Sequence, residues 1–394
     1  ENAFSHCNEI ETIIFPENSK IETIGNSVFE YSSITTIKFP DSLTAIKSYA
    51  FEYCNQLTVV EFSKNSKLTE IGCQAFNDTS ISKITIPSHV KVIEQYTFFN
   101  CSKLKTVIFG KNSELKQICK GAFEKTSIES ITIPSEVTYI GFSAFYDCSS
   151  LKNVIFEPNS KLEFIDSSAF YSTSLEKILI PANVQYIGNN CFSNSKLQEI
   201  EYEKESHLIS VAINSFPNSS DIKIRIPSNV ETIDTSYMFL MDSITNIEIS
   251  PNNKYYKSIN NNEMIAKKSS IKSDNYDTLY CACTQIRQAK IPSYIKYISP
   301  GCFDNCEQLT KIEFPDDSNL KRIGHDAFNT LRLERITIPA HVKSIKHAFL
   351  YCNYLKKVDF NENSELKIIG KESFSSNLME SFSIPKNVIQ IKDG

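Results

Sequence analysis

Four cysteines, Cys281, Cys283, Cys302 and Cys306, fall within 26 residues and come closest to a spacing that could do chemistry. As thiolates, a C-x-C pair followed by a C-x-x-x-C pair could supply a tetrahedral zinc site. A disulfide from Cys281 or Cys283 to Cys302 is the other reactive reading. Six histidines are scattered through the chain, and His89 and His341 each follow a proline by two residues, which places them on exposed turns. No H-E-x-x-H, G-x-S-x-G or phosphate-cradling glycine loop is present, and the acidic residues are spread out rather than paired. These features exclude the common hydrolytic, zinc-dependent and nucleotide-dependent active sites, so neither an enzyme nor a cofactor is expected. Three sequons, at Asn77, Asn100 and Asn218, are candidate glycosylation sites.

The element that positions all of these residues is a repeat. Fifteen phenylalanines, Phe4, Phe29, Phe51, Phe76, Phe98, Phe123, Phe145, Phe170, Phe192, Phe216, Phe239, Phe303, Phe328, Phe349 and Phe374, recur at steps alternating between about 25 and about 22 residues. A fixed period of this size means a solenoid, in which one turn cannot bury its own apolar face and must stack on its neighbours. The longer unit is seen from Cys101 to Phe123 and the shorter from Thr126 to Phe145. Each holds two short β segments, such as 104–109 and 115–118, and a helical or irregular turn that carries the landmark Phe. Leu104, Val107, Phe109, Leu115, Ile118, Ala122 and Phe123 are the inward set. The proline after the first strand (Pro40, Pro87, Pro134, Pro181, Pro227, Pro292, Pro339, Pro385) has no N–H to donate and should end the ladder pairing there. Glycines four before the Phe, among them Gly25, Gly72, Gly141 and Gly188, read as tight-turn residues.

The repeat also explains most of the cysteines. Cys7, Cys54, Cys101, Cys148, Cys306 and Cys352 all lie three residues after a landmark Phe, where the short units carry Thr79, Thr126 and Thr173. Successive cysteines of this column are two turns apart, about 9–10 Å, which is too far to bridge. They read as small buried side chains. Cys302 takes the small-residue place before Phe303, as Cys191 does before Phe192, so only Cys281 and Cys283 lie outside the pattern.

One gap, from Phe239 to Phe303, is too long for a long-plus-short pair. Residues 251–284 fill it and read as a hairpin or flap inserted into one turn, within a single solenoid covering 1–394. The chain opens and closes in mid-repeat, as expected of a fragment of a longer protein whose capping turns lie elsewhere. Lysine and arginine total 41 against 46 acidic residues, a net charge of −5, with no basic run, which argues against nucleic acid as partner. No apolar stretch is long enough to span a membrane.

Solenoids bind through their extended faces, and the outward positions of the first strand make two columns. Ile108, Ile155 and Leu179, with Ile14 further off, are aliphatic on a face that could be wholly polar; Thr106, Thr132 and Asn153 surround the first three. Strand propensity accounts for Ile and Thr there without a partner. Towards the C-terminus the same face carries Lys311, Arg335 and Lys357 among acidic residues, which suits cross-strand pairing or a weak attraction for an acidic protein or sulfated glycan.

The pattern C-x-x-L-x-x-V-x-[FI]-P-x-x-V-x-x-I-G-x-x-A-F, visible in 128–145 and 175–192, resembles the BspA-type leucine-rich repeats over essentially the whole chain. The Asn-Ser-Lys-Leu elements at 65–68 and 159–162 are most similar to the protist branch of that family. The resemblance implies a leucine-rich repeat, right-handed stack of about 16 turns with short parallel strands. It further implies a non-enzymatic surface or secreted protein that adheres to host cells or extracellular matrix. An intracellular scaffold using the same face is the alternative, compatible with reduced thiols.

Overall fold

The computed structural model describes residues 2–16, 18–220, 222–236, 243–270 and 272–392. The landmark Phe239 lies outside the described residues. The chain divides into two compact units, Glu1–Pro217 and Asn218–Gly394, each a parallel β-solenoid; together they hold about 16 turns with almost no helix. The one helical segment among the described residues is the 3-10 turn Ile213–Ser215, so the connecting turns are irregular rather than helical.

In the first unit each turn has three walls. The first wall is built from strands of up to four residues, such as Lys83–Ile86, Thr106–Phe109, Ser130–Ile133 and Asn153–Phe156. Their alternation of exposed and buried residues follows the β period of two. The second wall uses two-residue strands, Val92–Ile93, Gln117–Ile118, Tyr139–Ile140, Phe164–Ile165 and Tyr186–Ile187, paired in an unbroken parallel row. Both are shorter than the sequence pattern suggests. Of the expected inward set, Leu104, Val107, Leu115, Ile118, Ala122 and Phe123 are buried. Phe109, at the strand end, is only half-buried.

The first ladder of the first wall holds three strands, Thr12–Ile13, Thr36–Phe39 and Val59–Phe62, and Pro40 does not break its pairing. After it the first wall is laddered in pairs, and proline is the reason. Lys83–Ile86 pairs with Thr106–Phe109, and Ser130–Ile133 with Asn153–Phe156. Those pairs are closed by Gly110 N donating to Ile86 O at 2.9 Å and Glu157 N to Ile133 O at 3.0 Å. At the next step the equivalent residue is Pro134 or Pro181, which has no proton to give. The sequence pattern places the interruption along the strand; the structure places it across the stack, at every long-to-short step of this stretch.

The third wall carries the landmark phenylalanines and is no strand. Residues two before and two after each landmark Phe from Phe4 to Phe192 have positive φ, for example Ser143 (54°) and Asp147 (56°) around Phe145. Such a backbone costs a non-glycine residue about 1–2 kcal/mol. The cost is offset because each bend turns N–H groups towards the next turn: Gly121 N, Phe123 N and Lys125 N donate to Phe142 O, Ala144 O and Tyr146 O at 2.8–3.0 Å. Behind this wall the rings stack without interruption from Phe4 to Phe192, with Phe123 5.4 Å from Phe98 and 5.3 Å from Phe145.

The cysteine column lies beside the rings. Cys54, Cys101 and Cys148 are fully buried, and their thiols donate to the carbonyl of the Phe one turn back at 2.9–3.0 Å. Thr79 and Thr126 stand 3.2 Å from Cys101 and Cys148, which explains why small polar residues alternate there. Burial pushes the thiols of Cys101 and Cys148 up to about 12. Alkylation of the native chain at pH 8, followed by peptide mass spectrometry, is therefore expected to mark the partly exposed Cys7 first. Cys73 and Cys119 are partly exposed but also raised by burial, Cys119 to about 11, and should follow before the fully buried thiols. Equal labelling of Cys101 or Cys148 in the folded protein would contradict this packing.

The second unit repeats the plan, with stacked Phe303, Phe328, Phe349 and Phe374. At the C-terminal end, the segment around Ser381 and Ser383 forms no strand. Within 251–284 the structure places a meander of Tyr256–Ile259, Met264–Lys267 and Thr278–Ala282, whose last strand runs parallel to Tyr297–Ile298. Asn260, Asn261 and Asn262 make its first bend with three successive positive φ values of 51–66°, a conformation asparagine tolerates better than most residues. The buried Asn253 ties the meander to the preceding turn: its Nδ2 donates to Pro227 O and Val230 O, and its Oδ1 accepts from Tyr255 N and Tyr256 N.

Candidate protein-binding face

On the first wall of the first unit, Thr106 and Ile108 lie on Thr106–Phe109, Thr132 on Ser130–Ile133, Asn153 and Ile155 on Asn153–Phe156, and Leu179 on Lys177–Ile180. All six side chains are exposed. Ile108, Ile155 and Leu179 are 42, 53 and 46% accessible. Register puts Thr132 opposite Ile155, while Thr85 stands beside Ile108 and Glu201 beside Leu179. The column Ile108, Thr132, Ile155, Leu179 thus runs over four successive turns, about 14 Å at ordinary strand spacing. Ile14, also exposed, lies six strands before Ile155 in this wall and is not part of the patch.

In the second unit Lys311, Arg335 and Lys357 are exposed at the starts of their strands, Lys311–Glu313, Arg335–Ile338 and Lys357–Phe360. Each has an acidic neighbour: Lys311 pairs with Glu313, Arg335 with Asp359 at 3.1 Å and Lys357 with Asp359 at 2.9 Å. Between the strands of Lys311 and Arg335 lies a shallow groove of about 1030 Å³ lined by Lys290, Lys311, Glu313, Glu334 and Arg335. An anion binding there would have to compete with carboxylates already in place.

The reactive readings find little geometry. All twelve cysteines are free thiols. Cys306 donates to Cys283 O at 3.5 Å, and burial raises the thiols of Cys281, Cys283, Cys302 and Cys306. Among the described residues no three His, Cys, Asp or Glu converge as metal ligands, and no helix is long and apolar enough to cross a membrane. His89 and His341 are exposed and face Glu114 and Glu365 at 2.9 and 2.8 Å. Of the sequons, Asn77 is buried with its Nδ2 donating to Glu52 at 2.7 Å, and Asn100 donates to Asp78. Asn218 is exposed.

Sequence reasoning missed a feature of the third wall, where His6, Tyr31 and Tyr53 form an outer stack of rings with Glu52 buried beside it. The signal was available in aromatic residues recurring two places after successive landmark phenylalanines.

Short parallel strands, stacked phenylalanines and an exposed strand face define a leucine-rich repeat solenoid, a class of repeats that typically bind proteins and are typically not enzymes. More narrowly, the chain belongs to the BspA type leucine-rich repeat family, whose pattern, a region of six copies, matches residues 1–90, 69–196, 163–276 and 271–394. It is similar to a leucine-rich repeat protein from Bacteroides ovatus (18% identity, 98% of this chain and 91% of that one, TM-score 0.42). It is also similar to the pneumococcal vaccine antigen PcpA (18%, 97% and 85%, TM-score 0.36). A leucine rich cell surface protein from Faecalibacterium prausnitzii is similar as well (22%, 98% and 86%, TM-score 0.34). No curated protein matches the sequence.

Proposed function

We propose that this chain is the binding module of a cell-surface or secreted protein, and that the strand face around Ile108, Ile155 and Leu179 meets a protein of a host cell or of the extracellular matrix. The observation that carries the reading is the aliphatic column itself, exposed on a strand wall among Thr106, Thr132 and Asn153. Burying an aliphatic side chain fully contributes about 1.5–3 kcal/mol, so three neighbours on one surface could anchor an interface. Family membership supports the surface role, and the Asn-Ser-Lys-Leu elements support a source among protists. Asn218 is then the sequon best placed for a glycan. Lys311, Arg335 and Lys357 offer a subsidiary contact to an acidic protein or sulfated glycan, reduced by their own ion pairs.

The free thiols favour a second reading, an intracellular scaffold using the same face. Antibody labelling of intact cells separates the two, since protease-sensitive signal without permeabilisation supports the surface role and its absence removes it. The face itself is tested by replacing Ile108, Ile155 and Leu179 together with aspartate. Saturable binding to host-cell or matrix proteins should fall at least tenfold while the thermal melt stays within a few degrees. Undiminished binding would reject this face.

A further inference from the structure

The third wall of the first unit carries an aromatic ladder that the core does not need. His6 stacks on Tyr31 at 4.9 Å, and Tyr31 on Tyr53 at 4.6 Å. These three residues occupy the outward place two after Phe4, Phe29 and Phe51, and Tyr31 is 41% exposed. Tyr53 closes the ladder, because the next residue in the column is Asp78. Around it lie Glu30, Glu52 and Asp78, close enough for Glu30 and Asp78 to act on both Glu52 and Tyr53. Glu52 is buried, and its carboxylate accepts from Gln74 at 2.9 Å and Asn77 at 2.7 Å. Asn77, 3% exposed, has its Oδ1 without a hydrogen-bond partner.

The same wall supplies its own comparison a few turns on. Lys125 occupies the column place of Tyr53 after Phe123, and its ammonium lies 5.3 Å from the Phe99 ring. Lys120 lies 5.5 Å from both Tyr96 and Phe142. Glu124, between them, is offset by Lys125 and Lys120. There the chain combines ring, carboxylate and cation. At Tyr31 and Tyr53 it combines rings with three carboxylates, and among the described residues no Lys or Arg lies over either ring.

We propose that the wall at Tyr31 and Tyr53 is a second binding site, separate from the strand face, which takes an arginine-bearing segment of a protein partner. A guanidinium is planar, stacks on aromatic rings and pairs with carboxylates, so it matches both halves of this surface. The acidic side chains Glu30 and Asp78 would then balance the cation, while the buried Glu52 fixes Gln74 and Asn77 beneath it.

The probe is a fluorescein-labelled Gly-Arg-Gly-Ser-Arg-Gly peptide, with a citrulline version that keeps the shape and loses the charge. Fluorescence anisotropy with the whole chain should show saturable binding of the arginine peptide alone. Tyr53→Asn, a residue suited to the positive φ of 57°, should weaken it at least fivefold. Glu30→Gln, which leaves the backbone and packing in place, should do the same. Tyr351→Asn removes an exposed tyrosine from the same motif position, at φ 56° in the second unit, and should change binding less than twofold; so should the triple aspartate variant of the strand face. Absence of saturable binding, equal binding of the citrulline peptide, full binding by Tyr53→Asn or Glu30→Gln, or an equal loss in Tyr351→Asn would each overturn the proposal.

Discussion

Phe123→Ala should destabilise the first unit by about 3–5 kcal/mol, the usual cost of deleting a buried phenylalanine. The ring is fully buried and sandwiched between Phe98 and Phe145 at interplanar angles of 5° and 12°. Stacked pairs add about 0.5–1.5 kcal/mol beyond buried area, and this substitution removes two. Collapse around the gap is opposed by the backbone: Phe123 N is tied to Ala144 O at 2.8 Å, and Phe123 O accepts from Cys148 at 3.0 Å. Because each turn of a solenoid leans on its neighbours, the loss should spread from the turns of Phe98 and Phe145 outwards. Urea unfolding gives the magnitude, and amide exchange gives the pattern. Phe4→Ala is the matched control, since Phe4 is 44% exposed and stacks on Phe29 alone; it should cost far less. A loss near 1 kcal/mol for Phe123 would mean that the column is ornament rather than core.

That column was legible from spacing because stacking imposes it: a ring can lie on the ring below only if every turn returns the chain to the same place. The cysteine column was legible for the same reason. The positive-φ bends were not, because their stability comes from hydrogen bonds to the next turn rather than from residue type. Tyr31, Asn100, Lys125, Asp147 and Ser172 all adopt this backbone, so no composition rule marks it. The exposed face followed from simple alternation, and Ile108, Ile155 and Leu179 lie where period two puts them. What alternation could not show is that Arg335 and Lys357 both turn to Asp359. Nor could it show that Glu52, one residue after a landmark Phe, is buried while Glu30 in the equivalent place is partly open. Both depend on which side chains the neighbouring turns present.

The glycines four before the landmark Phe reveal a subtler failure, and a second large effect follows from it. None of Gly25, Gly72, Gly141 and Gly188 has the positive φ that a tight turn would ask of glycine. Gly188 is there because of closeness: a Cβ would lie 2.4 Å from Ser167 N and 2.8 Å from Asp166 C in the turn below. Backbone cannot swing aside as a side chain can, so Gly188→Ala must push two turns apart and strain Gly188 N from Ile165 O, now 2.9 Å away. The expected loss is about 1–3 kcal/mol, the range for overpacking a tight interior. Gly25 shares the motif position, yet its nearest contact for a new Cβ is Val28 Cγ2 at 3.4 Å. There alanine narrows the unfolded chain's freedom without a clash, and Gly25→Ala should stabilise by about 0.4–1 kcal/mol. Opposite signs in urea unfolding of the two variants are the expected result. Equal losses would show that both glycines serve the local turn after all, and equal gains that the turns are held more loosely than 2.4 Å implies.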